Sequence, residues 1–447
     1  MAKGATAWAT ANGDRMTDKP TGAPTFAEAC GLWLQIGLTS IGGPAAQISL
    51  LHDSLVTRRR WIAEPDFETA LNFCMLLPGP EAQQLAAYLG WRLHGVRGAV
   101  AAGGLFVLPG ACVMAALSWL AASRADAAWL KGAFAAMLPV VATLIGLALW
   151  RMGRRSLRTR LAAAIALGAF LGLVWLQIPF PLILAIAAVI GLAAPSAVAA
   201  PRRSEHPVSP TQDARSQLPR SGTLRGTARL TGIFGLLWLA PVAVVVGLCG
   251  RAPYLDVAAF FTQAAFVTFG GAYAVLPFVG SAAVDHFHWL SRLDMLHGLA
   301  LAETTPGPLI LTNQYVGFFA GWNAALAGHA GGLPPLAAGA VTAALSTWMT
   351  FLPCFYFVLA GAPAVERLSR HARIRSALAG VTCAVIGVIA SLGLLVAREA
   401  LWPKSHPDPV AMGLAIAAAA ALLWAQVPAV AVIAAAALTG AARGALA

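Results

Sequence analysis

Charge is what this chain of 447 residues has least of: Asp, Glu, Lys and Arg together make up 11% of it, against roughly a quarter in a soluble domain. So few ions cannot keep a chain of this size dissolved as a globular domain, which excludes a soluble enzyme or binding module. Acids are the scarcer sign, 18 against 30 Lys and Arg, for a formal net charge of +12. The basic excess does not point to nucleic acid, because the arginines gather at the ends of apolar runs, where cytoplasmic-side retention signals stand. Cysteine is sparse as well. Cys30, Cys74, Cys112, Cys249, Cys354 and Cys383 are scattered singly with no CxxC pair, so neither a disulfide framework nor a metal site is expected. The nucleotide loop GxxxxGKS/T, HExxH, CxxCH and a dinucleotide fingerprint after a strand are all missing, which leaves no ATP engine and no cofactor to expect. No nucleophile–base pair recurs, so the chain does not read as an enzyme.

What is present is long uncharged sequence. Hydrophobic residues make up 59%, mean hydropathy is +0.73, and uncharged runs occupy 29–52, 98–123, 132–150, 161–201, 230–250, 257–284, 304–365, 376–397 and 409–442. Several are long enough to cross a hydrocarbon core of roughly 30 Å, and some long enough to cross twice. They lack the alternation of a transmembrane β-barrel, so the fold class expected is an all-α polytopic membrane protein with the lipid bilayer as its solvent. The opening MAKGATAWATANGDRMTDKP has no apolar core before its first acid. It predicts an exposed cytoplasmic tail over 1–24 and no secretory signal.

Residue n matches residue n+228 without a gap over more than forty positions. Gln35 meets Gln263, Ser40 meets Thr268, Gly42-Gly43 meet Gly270-Gly271, Trp61 meets Trp289, Asp66 meets Asp294, and Pro78-Gly79-Pro80 meet Pro306-Gly307-Pro308. Apolar composition alone does not supply such pairs, so the chain contains an internal repeat. The organisation expected is a first repeat at 25–200, a basic Pro/Ser/Arg-rich cytoplasmic linker at 201–229, and a second repeat with a leading crossing helix at 230–442. Placing every arginine cluster on the cytoplasmic side makes 29–52 and 67–90 enter and return. Then 98–120 and 132–150 cross, 161–198 is a hairpin, and 230–250 crosses outward. The two homologous halves are then inverted. TRRRW at 57–61 is accordingly replaced by DHFHW at 285–289.

Pro-Gly-Pro in an apolar stretch removes amide donors and breaks a helix. In hydrocarbon such re-entrant or broken helices survive only where the break faces protein or a watery cavity. Half-helices ending there turn positive dipole ends inward, which suits an anion. Glu81, Gln83 and Gln84 follow the first break; Glu303, Thr304 and Thr305 precede the second, with Thr312, Asn313, Gln314 and Tyr315 after it. An ionised carboxylate beside an oxyanion repels it, so Glu81 and Glu303 could couple proton movement to anion movement; helix capping or pairing with Arg92 is the plainer alternative. His94 reads as a surface or headgroup residue, and His286 and His288 have no third ligand nearby. Trp33, Trp61, Trp91, Trp150, Trp289 and Trp322 read as interfacial anchors.

The stretches IGGPAAQI (41–48), RRRWIAE (58–64), ALNFCMLLPGPEAQQLAAYLGWRLHG (70–95), GLFVLPG (104–110), FGGAYAVLPFV (269–279) and GLALAETTPGPLILTNQYVGF (298–318) resemble the signature regions of the chromate ion transporter family, in its long two-domain form. The resemblance implies a bacterial inner-membrane protein that exports chromate, or in some members is associated with sulfate, using a chemiosmotic gradient. It carries substrate binding onto Gly42, Gly43, Pro44 and Gln47, onto Pro78, Gly79, Pro80, Glu81 and Gln83, and onto Gly270, Gly271, Glu303, Pro306, Gly307 and Pro308. The polar flanks add Thr305, Asn313 and Gln314. Ile41 stands where the family usually shows Phe, Gly110 replaces a small serine, and Asn313 is unusually polar. The expected partners are a chromate- or sulfate-like oxyanion, a coupled proton and a second copy of the chain. A carrier for sulfate or another divalent oxyanion, or an anion channel, is the alternative.

Overall fold

The computed structural model describes residues 24–195, 224–368, 372–403 and 406–446. The tail over 1–23, most of the linker, and the middle of the basic cluster at 367–375 lie outside the described residues. Helix begins at Leu224, so the last six positions expected in the linker belong to a helix.

The first repeat opens with α1 (Phe26–Thr39), α2 (Gly43–His52), α3 (Glu64–Cys74) and α4 (Glu81–Ser123). It continues through α5 (Ala128–Ser156), α6 (Arg160–Val174) and α7 (Phe180–Ala193). The second has α8 (Leu224–Cys249), α9 (Tyr254–Val267), α10 (Ala272–Ser281), α11 (Arg292–Thr304), α12 (Thr312–Leu326), α13 (Pro335–Leu368) and α14 (Ala372–Leu401). Helices α15 (Pro409–Leu423) and α16 (Ala429–Leu446) close the chain. No strand occurs among the described residues. Among the described residues six helices are long and apolar enough to cross a membrane: 81–123, 128–156, 228–249, 335–361, 376–401 and 429–446. The protein is thus an all-helical multi-pass membrane protein in two halves.

Local chemistry sets the boundaries. Thr25 and Glu28 form a reciprocal capping box at the start of α1, and Ser291 with Asp294 forms the matching one at α11. Each box satisfies amides that the first helical turn leaves free. Inside the long α4, His94 and Gly95 leave helical geometry, with Gly95 at φ +64. His94 makes specific contacts at this edge. Its Nε2 meets the carbonyl of Pro24 at 2.9 Å and its ring lies edge-on to Phe26, tying the kink to the start of α1.

That kink, the start of α1 and the loop at 58–60 occupy one end of the molecule, where Arg59 acts electrostatically on Glu28. Past the kink α4 runs about 40 Å to the other end and α5 returns, bringing Arg151, Arg154 and Arg155 back to the basic end. At the opposite end the α6–α7 turn, the turn after α10 and the last turns of α14 line one cavity. The loop after α2 and its counterpart after α10 therefore lie at opposite ends, so the second half is inverted relative to the first.

Close packing follows from small residues. A Cβ on Gly132 of α5 would strike the carbonyl of Gly440 on α16, and one on Gly440 would strike that of Gly132, the tight approach that lets membrane helices associate. Trp33 is 1% exposed, a core residue and no interfacial anchor, because the inner face of α1 packs on α4. Trp289 is also buried, stacked on Phe287 at 4.3 Å. Trp150 is half exposed, as an anchor requires.

Candidate functional site

Helices α1 and α9 have 14 residues each, about 21 Å, too short for a hydrocarbon core of roughly 30 Å. Starting from opposite ends, both stop inside the molecule at Ser40 and Thr268. There each break meets the Pro-Gly-Pro of the other half. The Gly79 amide donates to the Thr268 carbonyl at 2.7 Å, and the Gly307 amide donates to the Ser40 carbonyl at 2.7 Å. Since 40 corresponds to 268 and 79 to 307, the contact is self-complementary, as a two-fold axis between the halves demands.

The clasp has sequence reasons. Proline has no amide, so the glycine carries the sole donor of each triplet. Gly79 and Gly307 sit at φ +128 and +95, backbone that side chains disfavour. Gln47 reinforces one clasp, its Nε2 donating to the Gly307 carbonyl at 2.6 Å; its counterpart, Val275, cannot. Gln84 braces the other, donating to the Pro78 carbonyl at 2.7 Å. Gly110 lets α4 lie against the Pro306 carbonyl, which a Cβ there would strike.

The glycine amides are therefore committed to joining the halves. The free donors lie just after the breaks. In α4 the first helical bond runs from the Gln84 amide to the Pro80 carbonyl, so the amides of Glu81, Ala82 and Gln83 have no carbonyl to reach. Helices α2, α4 and α10 lack any side-chain cap. Their starts are neighbours: a Cβ on Gly271 would lie 3.9 Å from Glu81 Oε1, and one on Gly43 would lie 4.0 Å from the Tyr273 hydroxyl.

Glu303 is 4% exposed and accepts a hydrogen bond from the Tyr273 hydroxyl at 2.5 Å. Glu81 has no protein partner among the described residues, and no cation pairs with either acid there. Arg92 is not Glu81's partner: it binds Asp66 at 3.0 Å, bridging α4 and α3. The two acids are not symmetry mates, since Glu81 corresponds to Leu309 and Glu303 to Met75.

The structure brings together Gly42, Gly43, Pro44 and Gln47 with Gly270, Gly271, both Pro-Gly-Pro triplets, Glu81 and Glu303. It directs other predicted residues elsewhere. Thr305 donates to the Ala302 carbonyl, Asn313 to Thr350 of α13 at 3.2 Å, and Gln314 to the Ala111 carbonyl of α4 at 2.8 Å. Gln83 is fully buried with neither amide atom partnered among the described residues. Among those residues no group of His, Cys, Asp and Glu could hold a metal ion. Tyr273, which sequence reasoning missed, is the side chain that holds Glu303 here; its position three residues past Gly270 was the available signal.

Inverted halves, interrupted helices that meet inside the molecule and uncapped helix starts beside one buried and one half-buried acid are features of membrane transporters of the inverted-repeat class. A sequence profile of chromate transporters matches residues 27–192 and 255–441, and the chain belongs to that family. It is 33% identical to the chromate transport protein of Pseudomonas aeruginosa, over 80% of this chain and 77% of that one. It is 27% identical to a probable chromate transport protein of Synechococcus elongatus, over 83% and 84%. The corresponding protein of Cupriavidus metallidurans is 26% identical, over 83% and 82%. No solved structure matches the chain.

Proposed function

We propose that the protein exports chromate across the bacterial inner membrane by secondary transport. The observation that carries this reading is the reciprocal clasp of Gly79 to Thr268 and Gly307 to Ser40, which gathers both interruptions around one central place. The free amides of Glu81, Ala82 and Gln83, those at the start of α10, and the side-chain amide of Gln83 supply donors for an oxyanion, aided by the positive helix ends. Gly79 and Gly307 shape this site without touching the ligand.

Glu81 and Glu303 supply the coupling. An ionised carboxylate next to a divalent oxyanion is repulsive at every separation within the site. Binding of the anion is therefore linked to the protons these acids carry, and a transmembrane proton gradient acts on the anion's movement.

The test is flux into proteoliposomes with imposed proton gradients, chromate against sulfate. Saturable chromate flux that follows the gradient is expected. Non-saturating, gradient-independent flux would remove the carrier reading, and preference for sulfate would remove the chromate assignment.

A further inference from the structure

A cavity of about 860 Å³ opens at the end opposite the arginine-rich loops. On α11 it is lined by Arg292, Met295, Leu296 and Leu299, the spacing of a single helix face. Glu303 stands on that same face one turn further along. On α10 the lining residues Leu276, Pro277 and Gly280 share a face with Tyr273, again one turn deeper. Both walls thus lead towards the Tyr273–Glu303 pair and stop one turn short of it. The stopping point is apolar: Leu276, Leu296 and Leu299 are 0%, 1% and 1% exposed.

The charged residues lining the cavity are Arg292, Arg398 and Asp285. Arg292 shares its charge with Asp285 at 3.4 Å, whereas Arg398 has no carboxylate partner among the described residues. The cavity therefore has a net positive lining. In the first half the positions corresponding to the leucine plug are Ile48, Glu68 and Leu71, none of them buried. The leucines are buried in one half, whereas their counterparts in the other are half-buried or exposed.

We propose that this cavity is the vestibule linking the central site to this end, that Arg398 is the group in it that captures a divalent tetrahedral oxyanion, and that the three leucines are its closed plug. The proposal rests on the transport reading above. An anionic lipid would also favour an arginine beside apolar walls, but its chains would not require both walls to run to a buried phenol–carboxylate pair.

Ser391 lines the cavity and provides the probe. In the full chain, with Cys30, Cys112 and Cys249 replaced by Ser, Ser391→Cys is labelled in proteoliposomes with anionic and cationic methanethiosulfonates. The anionic reagent is expected to react about tenfold faster, as a cleft of one charge sign concentrates its counter-ion. Chromate or sulfate should slow it, Arg398→Gln should abolish the preference, and Arg398→Lys should keep it. Equal rates for the two reagents, or slowing by phosphatidylglycerol but by neither oxyanion, would overturn the proposal. If flux is absent while charge-selective, oxyanion-protected labelling persists, the vestibule stands and the transport reading is what fails.

Discussion

The amide of Gly79 is held by the carbonyl of Thr268 at 2.7 Å, a bond made across 189 positions of the chain and repeated by Gly307 and Ser40. Two helix interruptions that would each be unstable alone in hydrocarbon thereby satisfy one another. The consequences of that exchange can be measured.

Gly79→Ala is expected to be more damaging than Gly307→Ala. A Cβ at 79 would lie 2.7 Å from Gln84 Nε2 and 2.8 Å from Cys354 Sγ, whereas one at 307 meets Leu311 Cδ1 at 3.2 Å. Positive φ adds about 1–2 kcal/mol at either site, and overpacking about 1–3 kcal/mol more at 79. Thermal unfolding in detergent should rank the variants in that order; the reverse order would contradict the clasp geometry.

Gln47→Leu should weaken one clasp and leave the other. Losing the 2.6 Å bond to the Gly307 carbonyl exposes a buried acceptor at a cost of about 1–3 kcal/mol. Lower stability is expected together with faster labelling of a cysteine introduced beside the triplet at 306–308. Unchanged labelling would show that Gln47 contributes nothing to the joint.

Tyr273→Phe removes the sole hydrogen bond of Glu303 among the described residues. Flux should fall about two- to tenfold, since a hydrogen bond contributes about 0.5–1.5 kcal/mol, while the protein still folds. Glu303→Gln retains an acceptor for the phenol and removes the titratable group. Its flux should lose part of its dependence on the proton gradient, and a full wild-type dependence would exclude Glu303 from coupling.

Gly440→Leu should separate α16 from α5, because even a Cβ there meets the Gly132 carbonyl and the Ala136 side chain. A loss of about 1–3 kcal/mol and proteolytic release of the last helix are expected. Wild-type melting would mean that the glycine contact is not tight in the membrane.

Much of this architecture is legible from the chain. The constant offset of 228 and the arginine positions predict two inverted halves, and the Pro-Gly-Pro triplets mark where helices break, because proline's missing amide acts locally. What those breaks bind is not local. That Gly79 would seek Thr268 depends on how the halves cross, and a lone tyrosine in FGGAYAV looks like any interfacial aromatic until Glu303 is placed beside it. Trp33 misleads for the same reason: proximity to a segment end does not show whether a side chain turns outward to lipid or inward to α4.

The two acids stand at positions the duplication does not relate, Glu81 opposite Leu309 and Glu303 opposite Met75. Were the same centre assembled from two identical polypeptides, each acid would occur twice and four carboxyl groups would crowd one place. Joining both copies in a single polypeptide lets one half shed a charge that the other retains, a freedom that strict self-association forbids.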